Sequence, residues 1–71
     1  MRALIVEDDQ EVGETVALAF SLRWPESEIL VQETGEGALK ALSGQPFDLV
    51  VLDVNLPDQD GFAVLEAIRK I

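Results

Sequence analysis

Two short apolar runs in this chain each end on carboxylates, and that repeated pattern narrows the fold more than any other feature. Ala3-Leu4-Ile5-Val6 stops at Glu7-Asp8-Asp9, and Leu49-Val50-Val51-Leu52 stops at Asp53. A continuous apolar run this short suits a strand buried on both faces, as in a parallel sheet covered by helices. The Leu49–Leu52 run reads as the central one, with Asp53 where the chain leaves the sheet. In open α/β sheets the carboxyl ends of strands are where ligands bind.

The segments between these runs alternate in character. Val12, Val16, Ala19 and Phe20 recur at helical spacing and predict an amphipathic helix. Gly13 lies inside that pattern and weakens it. Asp8 or Asp9 can cap this helix, and Asp8 with Glu11 has capping-box spacing. Arg23 suits the helix's negative end, and Trp24-Pro25 stops it. Glu28 to Gln32 is a short strand with polar margins, placed at a sheet edge. Thr34-Gly35-Glu36-Gly37 reads as a turn into a short helix whose apolar face is Ala38, Leu39, Ala41 and Leu42, ended by Ser43-Gly44-Gln45-Pro46. Asn55 to Gly61 is a loop of turn formers, with Pro57 and Gly61 read as turn residues. Val64, Leu65, Ile68 and Ile71 then line a third helix, with Arg69 and Lys70 near its end. The order βαβαβα implies an α/β fold with parallel strands and right-handed crossovers.

Composition removes several classes of function. With 71 residues the chain holds one domain at most, and a marginally stable one. Its net charge of -9, from 14 acids and 5 bases, argues against direct nucleic-acid contact by this segment and favours cations or basic partners. The scattered glutamates need no role beyond a soluble surface. The chain has no cysteine and no histidine, which excludes disulfides, thiolate metal sites, histidine triads and histidine-ligated zinc. No apolar run approaches the length of a membrane span, and Met1-Arg2 leads straight into a strand, not a signal-peptide core. These absences favour a cytoplasmic location and no membrane partner.

Neighbouring strands with carboxyl ends would bring Glu7, Asp8 and Asp53 together. Three like charges in one cleft need a counter-ion, or some stay protonated. Magnesium prefers oxygen ligands, keeps several waters and takes one or two carboxylates from protein. A carboxylate beside such a cation can attack phosphorus and form an acyl phosphate, while the cation neutralises the phosphoryl oxygens. Each acid site alone has a plainer explanation: acids cap helices, and acids end many strands. The combination is sharper, because both sites follow apolar strands at one edge of a sheet. Trp24 reads as a packing or helix-end residue, not a ligand contact.

Leu4-Ile5-Val6-Glu7-Asp8-Asp9 and the segment from Asp48 through Asp53-Val54-Asn55-Leu56-Pro57 to Gly61 resemble the receiver domain of two-component response regulators. The resemblance spans the chain and implies a flavodoxin-like fold with strand order 2-1-3-4-5. It implies that Asp53 is the phosphoacceptor for a sensor histidine kinase. Glu7 and Asp8 match the acidic pair that holds Mg2+, directly or through water, and Asn55 matches the position whose backbone carbonyl completes the metal site. Asp9 falls past the pair and reads as a cap. Leu56-Pro57 and Gly61 match the loop after the phosphorylated aspartate. By resemblance the module is a phosphoacceptor with slow self-dephosphorylation rather than a turnover enzyme. It would relay the signal to an output domain, expected to be DNA-binding and to control transcription.

The chain departs from the family pattern in two ways. The first acid of the pair is Glu7 rather than aspartate, a variation many receivers show. The family's switch hydroxyl and phosphoryl-contacting lysine come from a later half, and Thr34, Lys40 and Lys70 are not assigned to those roles. Residues 1–71 therefore read as a partial receiver, its first three βα units, truncated after the third helix and without its output domain. Such a fragment is expected to label weakly or not at all with phosphoryl donors. The outer edge of the Leu49–Leu52 strand is expected to be unpaired, which predicts a homodimer or strand-edge self-association. Two alternatives remain. A nucleotide- or flavin-binding domain needs a glycine-rich loop where Glu7-Asp8-Asp9 stands. A non-phosphorylated α/β interaction module would use the same fold without the chemistry.

Overall fold

A computed structural model of the chain describes residues 1–53 and 65–66. Within them the elements are β1 (Arg2–Val6), α1 (Gln10–Arg23), β2 (Glu28–Gln32), α2 (Gly35–Gly44) and β3 (Leu49–Leu52). Leu65 and Glu66 are helical, where the third helix is expected. The rest of that helix, including Val64, Ile68, Arg69, Lys70 and Ile71, and the Asn55–Gly61 loop lie outside the described residues.

The strands form one parallel sheet in the order β2-β1-β3. That is the first part of the flavodoxin-like order, and β2 lies at an edge as its polar margins predict. As the order 2-1-3 implies, among the described residues β1 is central and β3 lies at the other edge; the expectation that is corrected is that the Leu49–Leu52 run is buried on both faces. Ala3, Leu4, Ile5 and Val6 are all essentially inaccessible, whereas Leu49 and Val51 keep 40% and 37% of their surface. The cause is the placement of the helices. Leu4 and Val6 join Ala38 of α2 in the core, with Val50 and Leu52 packed against them. By the alternation of strand side chains, Leu49 and Val51 point to the opposite face. That face carries α1, which packs over β1 and β2 rather than β3.

Each helix is set by its cap. Asp9, not Asp8, caps α1; its Oδ1 accepts the N–H of Glu11 at 3.0 Å and of Val12 at 3.2 Å. The Trp24 N–H closes the other end on Phe20 O, and the Trp24 ring lies 4.7 Å from that of Phe20 and under the Arg23 guanidinium. The inward face of α1 also differs from the apolar spacing. Gly13 and Phe20 are buried, Val16 is half-buried, and Val12 and Ala19 are exposed. At Gly13 the helix comes close to β2: a Cβ there would meet Val31 Cγ1 at 3.0 Å. Val12 is about 100° away around the helix and is turned out. In α2 the expected turn is already helix: Thr34 is the cap and its Oγ1 accepts the Gly37 N–H at 3.0 Å.

The starting ends of the strands are tied together. Arg2 pairs with Glu28 across the β1–β2 register at 2.9 Å. Its N–H donates to Asp48 Oδ2 at 2.8 Å, and the Asp48 N–H donates to Arg2 O at 2.7 Å. The acids lie at the other end of the same strands.

Candidate functional site

The parallel register builds the site. Val6 is paired with both Gln32 and Leu52, so the residues that follow β1 and β3 leave the sheet side by side. The Asp53 N–H donates to Val6 O at 2.9 Å, and the Glu7 N–H donates to Gln32 O at 2.9 Å. Both backbones are therefore still in the ladder where their carboxylates begin. Asp8 comes next in the turn that Asp9 ends by capping α1.

These acids meet as the sequence predicts. One carboxylate oxygen from each of Glu7, Asp8 and Asp53 lies within 4.8 Å of the others. Glu7 and Asp53 are half-buried and Asp8 is exposed. Asn55, the fourth expected ligand through its backbone carbonyl, lies outside the described residues. Burial is the largest cause that raises the Glu7 carboxyl above its ordinary value. The charges of Asp53 and Asp8 and a hydrogen bond with the Asp53 side chain push the same way, and the Asp9 N–H opposes them. That N–H donates to Glu7 Oε1 at 3.3 Å. Asp9 thus caps a helix with its side chain and steadies Glu7 with its backbone. No pattern in the sequence points to the second role, since a backbone donor leaves no residue signature.

The donor set is hard oxygen throughout, in an open cluster of three acids. It fits a small divalent cation that keeps part of its water, and it does not fit a softer metal that prefers nitrogen or sulfur. Asp53 also presents a carboxylate whose position is fixed by its own strand bond, as a nucleophile requires.

The family model for the response regulator receiver domain matches residues 3–71. The chain belongs to that family. Transcriptional activator protein PfeR of Pseudomonas aeruginosa is 39% identical over 69 residues, 97% of this chain and 22% of that protein. Transcriptional regulatory protein AfsQ1 of Streptomyces coelicolor is 42% identical over 67 residues, 94% of this chain and 29% of that protein. The chain thus spans under a third of the length of these relatives. The crystal structure of response regulator protein TrrA from Thermotoga maritima, in complex with Mg2+-BeF, is 38% identical with a TM-score of 0.81. The match covers 97% of this chain and 58% of that one. The receiver's fold is flavodoxin-like, as far as the described strands extend.

Proposed function

We propose that this receiver accepts a phosphoryl group on Asp53 from a sensor histidine kinase, with Mg2+ held by Glu7, Asp8, Asp53 and the Asn55 backbone carbonyl. The observation that carries this reading is the convergence of the Glu7, Asp8 and Asp53 carboxylates within 4.8 Å at the carboxyl ends of neighbouring strands. The TrrA structure, which is in complex with Mg2+-BeF, supports the choice of cation.

In the transfer, an Asp53 carboxylate oxygen forms a bond to phosphorus as the bond from phosphorus to the donor histidine's nitrogen breaks. The electron pair leaves with that nitrogen, which takes up a proton. Asp53 is aimed by its N–H bond to Val6 O, and Glu7 by the Asp9 N–H. When bound, Mg2+ supplies positive charge against the phosphoryl oxygens and against the crowded acids. Asp53 becomes an acyl phosphate that is slowly hydrolysed, so the module is a switch rather than a turnover enzyme. The output is transcriptional control through a DNA-binding domain in a cytoplasmic protein. The transcriptional regulators among its relatives support that, and among the described residues no helix is long and apolar enough to cross a membrane.

Two measurements test the reading. Millimolar Mg2+ should shift the carboxyl resonances of Asp8 and Asp53; silence at both would favour a phosphorylation-independent interaction module. Acetyl phosphate with Mg2+ should add the mass of one phosphoryl group to the full-length protein, and none to its Asp53→Asn variant. Equal labelling of the two would remove Asp53 from its role.

A further inference from the structure

We infer that Gly13 is a positioning residue for the acid site, and that its missing side chain lets α1 hold Glu7 in place. The inference rests on the metal-site reading above. It follows a short chain of contacts. Gly13 is buried where α1 packs on β2, and a Cβ there would lie 3.0 Å from Val31 Cγ1. That is tighter than nine in ten such contacts, so either Val31 or the first turns of α1 must give by a few tenths of an ångström. Val31 has little freedom, because a β-branched side chain in a strand is stiff. The helix is the part that gives.

Movement of α1 at this point reaches the acids directly. The Gly13 N–H donates to Asp9 O at 2.9 Å, and the Asp9 N–H donates to Glu7 Oε1 at 3.3 Å. The same added Cβ would lie 3.8 Å from Glu7 Cβ, which is ordinary contact and no obstacle. The strain therefore enters through Val31 and arrives at Glu7 through Asp9, not by collision with Glu7. Alanine at position 13 also favours the helix intrinsically, by about 1 kcal/mol over glycine. A loss of metal affinity in a variant whose helix propensity has improved is not what a merely structural glycine would show.

The test is Mg2+ affinity of the receiver, read from carboxyl and amide NMR shifts, in wild type, Gly13→Ala, Val31→Ala and the double variant. Gly13→Ala should bind Mg2+ roughly tenfold more weakly, at the low end of what losing an outer-shell support costs. Val31→Ala alone should bind as wild type does. The double variant, with room restored for the added methyl, should recover to within about twofold of wild type, as a relieved contact predicts. Silence in wild type removes the metal site and this role with it. A wild-type response that folded Gly13→Ala reproduces, or a loss that the double variant does not recover, overturns the role of Gly13 alone. If Gly13→Ala does not fold, the double variant decides: wild-type affinity upholds the Val31 contact as the cause, and weakened affinity overturns it.

Discussion

Carboxylate oxygens of Glu7 and Asp53, delivered by neighbouring parallel strands, lie within 4.8 Å of each other. Burial of Glu7 raises its carboxyl above the ordinary value, and the charges of Asp53 and Asp8 push the same way. The direction of the stability effect follows. A glutamate that binds its proton more tightly folded than unfolded favours the folded state at low pH. That contribution is complete below the ordinary value of 4.5 and is lost as pH rises through the raised folded value. Chemical melts taken from acid to neutral pH should show stability falling over this window in wild type. Glu7→Gln, which keeps a hydrogen-bond donor and has no charge to acquire, should flatten the fall. At neutral pH, Mg2+ at ten times its Kd should add about 1.4 kcal/mol to wild type. A Glu7→Gln profile identical to that of wild type would show that the crowding is relieved elsewhere.

Asp9 serves two neighbours, so its variants separate the capping role from the positioning role. Asp9→Ala removes the acceptor for the Glu11 and Val12 N–H groups and should cost about 1 kcal/mol. For a domain of this size that is a fall in Tm of about 4–8 °C. The Asp9 N–H to Glu7 is a backbone bond and survives the substitution, so the loss in metal affinity should be small beside the loss in stability. Asp9→Asn keeps the acceptor and should lose little of either. Denaturant melts and Mg2+ titrations on the same samples check both halves; a large affinity loss in Asp9→Ala with unchanged stability would reverse the assignment.

The features that were legible in the sequence are those in which one residue type does one job. An apolar run ending in acid marks a strand leaving a sheet, and it placed Glu7, Asp8 and Asp53 together before any coordinates. Strand order is legible only through the family resemblance, which implies 2-1-3. Ala3–Val6 and Leu49–Leu52 are alike in composition, and nothing in either run says how much of each is covered. That is decided by pairing and by where α1 lies, and both depend on residues distant in sequence. The face of α1 is obscured for a related reason. Periodicity counts apolar side chains, whereas Gly13, which has none, is buried against Val31. The exposed Val12, Leu18 and Leu22 then blur the apolar stripe further. Thr34 was read as turn chemistry because cap and turn use the same residues, and only the bond to the Gly37 N–H separates them.

The unequal burial of two runs so alike has a measurable consequence. Leu4 is fully buried, and Leu49 keeps 40% of its surface although both runs look equally apolar. Leu4→Ala should cost about 2–5 kcal/mol, from lost burial and the cavity left behind. In a domain this small that is enough to unfold much of the population. Leu49→Ala removes surface that water already reaches and should cost under about 1 kcal/mol on area alone. Urea titrations of the two variants would reveal the difference as a shift in midpoint. Equal losses would mean that the two runs are buried alike.

Self-association should depend on salt, because two opposed effects act at β3. Leu49 and Val51 are apolar and exposed on the α1 side, and among the described residues no strand pairs with the outer edge of β3. An open apolar edge is a template for a second copy. Against it stands a net charge of -9, which repels a second copy most strongly at low ionic strength. Raising salt shortens the range of that repulsion from about 10 Å at 0.1 M to about 3 Å at 1 M, and leaves the apolar attraction in place. The weight-average mass in sedimentation at micromolar concentration should therefore rise with salt in wild type. Val51→Lys puts a charge on the exposed side of the edge strand and should keep the chain monomeric throughout, with little loss of stability because Val51 is already 37% exposed. A wild-type chain that stays monomeric at high salt would mean that the open edge attracts no second copy.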